Sequence, residues 1–106
     1  MTQSDPITRF DGKTISYTYD NGWDFSNTFE GNIRITDSPR RGELREPVQI
    51  RELRPDLFLV SWIDGEMGML AQIIDLENGT VLATIPSEEE PDNTEIIRAA
   101  ISSFDG

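Results

Sequence analysis

Residues 13–29, KTISYTYDNGWDFSNTF, carry the strongest structural signal in the chain. β-Forming residues alternate with period two from Lys13 to Tyr19 and again from Trp23 to Phe29. Between the two runs stands Asp20-Asn21-Gly22, and Asn-Gly is the strongest short signal for a β-hairpin. The stretch therefore predicts two antiparallel strands joined by a tight turn.

Similar signals continue along the chain. Turn residues at 37–42, 54–56, 64–65 and 77–79 separate short runs that are rich in β-branched or apolar residues. These runs predict further strands at 32–36, 47–53, 57–63, 67–76 and 80–85. The run at 57–63 is apolar apart from Ser61, which is typical of a strand buried on both faces.

The composition changes after residue 86. Residues 87–92 form an acidic stretch with a proline, which predicts an exposed hinge. Its Glu88-Glu89-Glu90 run does not match a calcium-loop spacing, so we expect no metal site. Asp92 with Glu95 resembles a capping box, and Ile97, Ala100, Ile101 and Phe104 follow at helical spacing. The sequence thus predicts a C-terminal α-helix over about residues 93–104.

Together these elements predict a mainly β chain with a single domain over residues 1–106. Seven to eight short antiparallel strands with tight turns favour an up-and-down β-barrel over about residues 7–86. The hinge at 87–92 and the C-terminal helix would follow it. An open sheet would leave edge strands exposed, so closure, the helix or a partner subunit should cover them.

The composition excludes several kinds of chemistry. Cysteine and histidine are absent, so any acid–base group must be Asp, Glu, Tyr or the single lysine, Lys13. The net charge of −11 makes nucleic acids and anionic membrane surfaces poor partners. No run is long and apolar enough to span a membrane. The N-terminus lacks a basic start and an apolar core, so we expect no secretory signal and a cytoplasmic location.

Two phenols are candidate ligand-binding groups. Ile15, Tyr17 and Tyr19 share one face of the first strand, which should point into the barrel. Two phenols two residues apart can converge on one ligand oxygen, although they can also be ordinary core residues. Trp23, Phe25 and Phe29 form the facing aromatic row. In a small barrel the core and the wall of a ligand pocket share one lumen, so Ile15, Trp23, Phe25 and Trp62 are candidate pocket residues.

Charged candidates lie close to the predicted turns. Asp64 and Glu66 flank Gly65, where they are either solvated turn residues or an acid–base group at the barrel mouth. Arg40 and Arg41 are adjacent in a predicted loop, where an arginine either clamps a ligand carboxylate or only balances the acidic surface charge. Arg34 and Arg51 lie on predicted strands, and either could serve instead if it faces inward.

Four stretches in order carry a family resemblance: residues 17–25, Arg41, Val60-Ser61-Trp62 with Asp64, and Gly68. The pattern Tyr-x-Tyr-x-Asn-Gly-Trp followed by Val-Ser-Trp-x-acid resembles the bacterial phenolic acid decarboxylases. It is also similar to MoaF-like domains, which share the lipocalin-like, calycin-type barrel. The resemblance covers about residues 13–86, and the chain is identified as a shortened member.

The resemblance implies a function. In the decarboxylases two tyrosines and an arginine hold a 4-hydroxycinnamic acid, an acidic residue moves a proton, and CO₂ is lost without a metal or organic cofactor. By motif, the catalytic set falls on Tyr17, Tyr19, Arg41 and Asp64. We expect a barrel that binds a small organic ligand, an aromatic or unsaturated carboxylic acid or a ketone, and that acts as a cofactor-free carboxy-lyase in its enzymatic form. The alternative is a non-catalytic binding or homodimerising module.

Overall fold

The computed structural model describes residues 6–38, 42–65, 67–87, 89–90 and 92–105. Among them, one short helix precedes eight strands. The elements are α1 (Pro6–Phe10), β1 (Thr14–Tyr19), β2 (Asp24–Glu30), β3 (Ile33–Ser38), β4 (Gly42–Arg54), β5 (Leu57–Asp64), β6 (Gly68–Asp75), β7 (Thr80–Pro86) and β8 (Thr94–Asp105).

The strands form a closed up-and-down barrel, as predicted. Each strand pairs with the next in antiparallel register, and β1 pairs with β8 to complete the circle. The first hairpin joins β1 and β2 through residues 20–23. Gly22 adopts a φ of 91°, and the Tyr19 N–H donates to the Trp23 carbonyl at 2.8 Å. Only glycine takes this backbone conformation without strain, which is why the Asn-Gly signal was informative.

The prediction of a C-terminal helix over residues 93–104 is wrong. Residues 94–105 form β8, whose pairing with both β7 and β1 closes the barrel. The register of β8 against β1 shifts between Ser16 and Tyr17, because β8 carries one extra residue there. Ile97, Ala99 and Ile101 follow the two-residue period, and the bulge then moves the next inward position to Phe104. The resulting spacings of four and three residues between Ile97, Ile101 and Phe104 imitate one face of a helix.

Two other elements differ from the sequence prediction. Strand β4 begins at Gly42 rather than at Pro47, so it contains Glu46, which the prediction left outside the strand. The helix α1 was not predicted. Of the helices in the described ranges, none is both long enough and apolar enough to cross a membrane.

Helix α1 closes one end of the barrel with Phe10. This side chain is fully buried and contacts the rings of Phe29, Phe58 and Phe104, with ring centroids 4.9–5.6 Å apart. The Phe10 carbonyl accepts the Lys13 N–H at 2.8 Å, and the Gly12 N–H donates to the Phe29 carbonyl at 2.8 Å, which ties the segment to β2. The strand ends that carry Tyr19 and Asp64 lie at the opposite end of the barrel.

We predict that Phe10→Ala lowers the free energy of unfolding by about 3–5 kcal/mol, because it removes a fully buried ring and leaves a cavity beneath the helix. Urea denaturation followed by tryptophan fluorescence measures the change. Leu53→Ala, near the same end but 48% exposed, is the matched control and should change stability by less than about 1 kcal/mol. Equal effects of the two substitutions would contradict the sealing role of Phe10.

Candidate functional site

A cavity of about 330 Å³ occupies the barrel at the end opposite Phe10. Its volume lies at the lower end of the range for small-molecule sites. Most of its wall is aromatic or aliphatic, with a few polar groups. The principal apolar residues are Tyr17, Tyr19, Trp23, Phe25, Leu44, Trp62, Leu70, Ala83, Ile85 and Ile97, and the ionisable ones are Asp24, Arg34, Glu46 and Asp64.

Both predicted phenols point into this cavity, but they are bonded differently. The Tyr17 hydroxyl donates to Asn27 Oδ1 at 2.7 Å, so its proton is committed inside the protein. Gln72 Nε2 lies 3.5 Å from the same hydroxyl. Burial, followed by the neighbouring Tyr17, raises the pKa of Tyr19 well above its usual range. Tyr19 therefore stays protonated and can donate a hydrogen bond.

A polar layer crosses the barrel beneath the cavity. Asn27 Oδ1 accepts from Tyr17 and from Arg34 Nε at 3.3 Å, while Asn27 Nδ2 donates to Thr36 Oγ1 at 3.2 Å. Arg34 Nη1 in turn donates to Glu46 Oε1 at 2.8 Å. The side chains of Arg34 and Glu46 are only 6% and 10% exposed, so this is a buried ion pair. Strand register explains it, since Arg34 stands directly opposite Glu46 on β3 and β4.

The structure distinguishes among the candidate arginines. Arg34 faces inward and lies over the Trp62 ring, with its guanidinium carbon 4.0 Å from the ring centroid. This is a close cation–π contact, which fixes the guanidinium plane against the cavity wall. Arg51 is exposed on the outer face of β4. Arg40 and Arg41 lie outside the described residues.

Asp64 is buried at the mouth of the cavity, at the last position of β5. Its Oδ1 accepts the Met67 N–H at 3.0 Å, so the carboxyl group is held by the β5–β6 turn as well as by its strand. The residue is only 5% exposed, so the interpretation of Asp64 as a solvated turn residue is wrong. Asp64 lines the cavity, and its acid–base role stays a prediction. Glu66 lies outside the described residues.

Some of the predicted pocket residues line the cavity, and others are buried in the core. Phe25 contacts both phenols, with ring centroids 6.0 Å from Tyr17 and 5.6 Å from Tyr19. Trp23 is 43% exposed at the rim. Ile15 and Phe29 are fully buried in the core and do not line the cavity.

Four polar residues of this interior were missed in the sequence: Asn27, Thr36, Glu46 and Gln72. Asn27 and Gln72 stand at inward positions of strands that were predicted, where the period-two rule would have placed them. Both are at most 1% exposed, and Gln72 Oε1 has no donor among the described residues. Glu46 was missed because Pro47 was taken as the start of β4. Extending the alternation of Val48 and Ile50 back by one step would have placed Glu46 inside.

We predict that Glu46→Ala lowers the free energy of unfolding by about 3–5 kcal/mol, because it leaves the Arg34 charge buried without its carboxylate. Glu30→Ala is the matched control, since Glu30 pairs with Arg45 at 3.7 Å on the exposed outer face of the barrel. That change should cost at most about 1 kcal/mol. Chemical denaturation measures both values, and a mild effect of Glu46→Ala would mean that the interior pair does not stabilise the fold.

Comparison with known proteins agrees with this architecture. The sequence model of the MoaF N-terminal domain matches residues 3–88. No curated protein matches the chain. Among solved structures, a Burkholderia vietnamiensis protein described as a "putative beta-lactamase" superposes with a TM-score of 0.73 at 17% identity, over 94% of this chain and 97% of that one. At this identity the structural match shows a shared fold. Because the family match spans most of the sequence, the chain belongs to the MoaF N-terminal domain family.

Proposed function

We propose that this protein binds a small aromatic or unsaturated carbonyl compound, a carboxylic acid or a ketone, in the barrel cavity. The observation that carries the proposal is that Tyr19, Arg34, Trp62 and Asp64 line one cavity of about 330 Å³. Hydrogen-bond donors, a carboxyl group and flat apolar walls are the parts that such a ligand requires.

Each group has a distinct role in the proposed complex. The ligand's planar part would pack between the rings of Phe25 and Trp62. Tyr19 would donate to its oxygen, while Tyr17, whose proton is held by Asn27, would shape the floor. Arg34 lines the same wall and would donate to that oxygen. The resemblance to the decarboxylases suggests a similar role for Arg41.

Loss of CO₂ is the narrower form of this proposal, and it depends on Asp64. In a cofactor-free carboxy-lyase, Asp64 would donate a proton to the carbon that bears the carboxylate. The bond from that carbon to CO₂ would then break, and its electron pair would restore the double bond of the product. Asp64 is buried at the mouth of the cavity, so its carboxyl group shares the lumen with the proposed ligand and would be the group that exchanges a proton with it. Release of CO₂ from a bound hydroxycinnamic acid would separate a lyase from a binding protein.

We predict that a panel of hydroxycinnamic acids and the matching ketones contains a compound that raises the melting temperature. Saturating ligand at a hundredfold excess over Kd stabilises the folded state by about 2.7 kcal/mol, which a thermal shift assay detects. Tyr19→Phe should weaken that ligand about three- to tenfold, because one hydrogen bond is lost. Each hit is then assayed for CO₂ release.

Variants at carboxyl groups complete this experiment. Asp64→Asn should abolish any CO₂ release while the ligand still binds. Asp105→Asn, an exposed carboxylate at the far end of β8, is the matched control and should leave both unchanged. If no compound binds, or if Tyr19→Phe and Asp64→Asn both leave binding and turnover unchanged, the cavity does not have the proposed function.

A specific observation favours homodimerisation as a second candidate function. Ile63, Met69, Leu82 and Ile96 are 40–74% exposed on the outer face of β5–β8. Ile63 and Met69 are directly paired across β5 and β6. The outward positions Leu59, Ser61, Ala71, Ile73 and Thr84 carry no charge, and Arg51 and Arg98 stand at the edges of this face, opposite Leu59 and Leu82. Two copies with a net charge of −11 each repel one another, so a face with apolar side chains and no acidic group among these positions is where they could pack.

We predict that the wild-type chain is a dimer in sedimentation equilibrium and that Met69→Glu makes it monomeric, because a buried unpaired charge opposes packing. Asn32→Glu adds the same charge at the exposed turn between β2 and β3, on the opposite side of the closed barrel, and should leave the dimer intact. A wild-type chain that is monomeric at every concentration would exclude this candidate.

A further inference from the structure

Arg34 fixes the orientation of the buried Asn27 amide. Arg34 Nε lies 3.3 Å from the Asn27 side chain, and a guanidinium group can only donate hydrogen bonds. The amide atom that faces Arg34 is therefore the oxygen, Oδ1. Asn27 Nδ2 points the other way and donates to Thr36 Oγ1 at 3.2 Å. Because Asn27 is fully buried, these two contacts hold its amide group in one orientation.

This orientation determines the role of the Tyr17 hydroxyl. It lies 2.7 Å from the same Asn27 oxygen, and an amide oxygen can only accept, so Tyr17 is the donor. The single hydroxyl proton is thus used inside the protein, and the Tyr17 oxygen is left as an acceptor. Gln72 Nε2 stands 3.5 Å from that oxygen, at the outer limit of a hydrogen bond, so the oxygen can still accept a bond from a ligand.

Tyr19 has the opposite role beside it. The rings of Tyr17 and Tyr19 pack edge to face with centroids 5.4 Å apart, and both residues line the cavity. Tyr19 stays protonated because burial raises its pKa, so its hydroxyl can donate. The two phenols therefore present one donor next to one acceptor. Such a pair matches a ligand group that both accepts and donates a hydrogen bond.

We propose that the cavity selects carbonyl compounds with an N–H or O–H group beside the carbonyl, such as primary amides and α-hydroxyketones. The ligand's carbonyl oxygen accepts from Tyr19, and its own donor bonds to the Tyr17 oxygen. A plain ketone or an ester satisfies only the first of these two contacts. This inference rests on the proposed binding function and names the polar group of its ligand.

The test compares two neutral ligands of nearly equal shape. The primary amide and the methyl ketone of the 4-hydroxycinnamoyl skeleton differ only in an NH₂ group in place of a CH₃ group, so no difference in ligand charge enters the comparison. Titration calorimetry at pH 7 gives both dissociation constants. The wild type should bind the amide about three- to tenfold more tightly, which is the gain expected from one hydrogen bond.

Variants of the two tyrosines assign this preference to its cause. Tyr17→Phe removes the acceptor, so the preference for the amide should disappear. Tyr19→Phe is the matched control, because it removes the donor to the carbonyl group that both ligands share. It should weaken both ligands by a similar factor and leave their ratio unchanged. The wild-type ratio is decisive by itself, so the test does not depend on a variant that folds.

The outcomes separate the inference from the function on which it rests. A preference for the amide that disappears in Tyr17→Phe supports the inference. A ketone that binds the wild type as tightly as the amide, or a preference that persists in Tyr17→Phe, overturns it and leaves the binding function standing. If neither compound binds, the inference fails, and the thermal shift panel decides whether the binding function fails with it.

Discussion

The pairing of β1 with β8 closes the barrel and thereby creates its interior. Without it, the seven successive hairpin pairings would make an open curled sheet with two exposed edges. With it, the inward side chains of all eight strands enclose one lumen. Phe10 seals one end of that lumen, and the other end holds the cavity. The matched region of the family model ends at residue 88, yet the strand that completes the barrel lies beyond it.

A layer of polar side chains in the middle of the barrel lies between the aromatic core around Phe10 and the cavity at the other end. A buried ion pair and a buried amide are costly unless each hydrogen bond is satisfied, and the layer from Tyr17 through Asn27 and Arg34 to Glu46 satisfies most of them. The same contacts fix the Tyr17 hydroxyl and the Arg34 guanidinium before any ligand arrives. Such preorganisation reduces the entropy that binding must overcome. Stability and recognition therefore depend on the same side chains here.

Several features followed directly from local sequence. The hairpin of residues 13–29 could be predicted because its turn chemistry and its period-two pattern are both local properties. The same pattern correctly placed Tyr17 and Tyr19 inside. The C-terminal segment was mispredicted because one extra residue in β8 changes which side faces inward, so Ile97, Ile101 and Phe104 imitate a helical stripe. A bulge is an extra residue relative to the paired strand. The sequence of residues 94–105 alone does not show that this segment pairs with β1, so the extra residue could not be recognised.

Local sequence is sufficient to predict a β-barrel, the inward direction of Tyr17 and Tyr19, and the lack of histidine and cysteine chemistry. The inward arginine and its carboxylate partner could be identified only in the folded barrel. Arg34 and Arg51 both lie on strands with similar local patterns, but the register of β3 against β4 places Arg34 opposite Glu46 and beneath the cavity. Period two fixes which residues share a face of a strand. Strand register, which depends on distant turns and on barrel closure, fixes which of them meet.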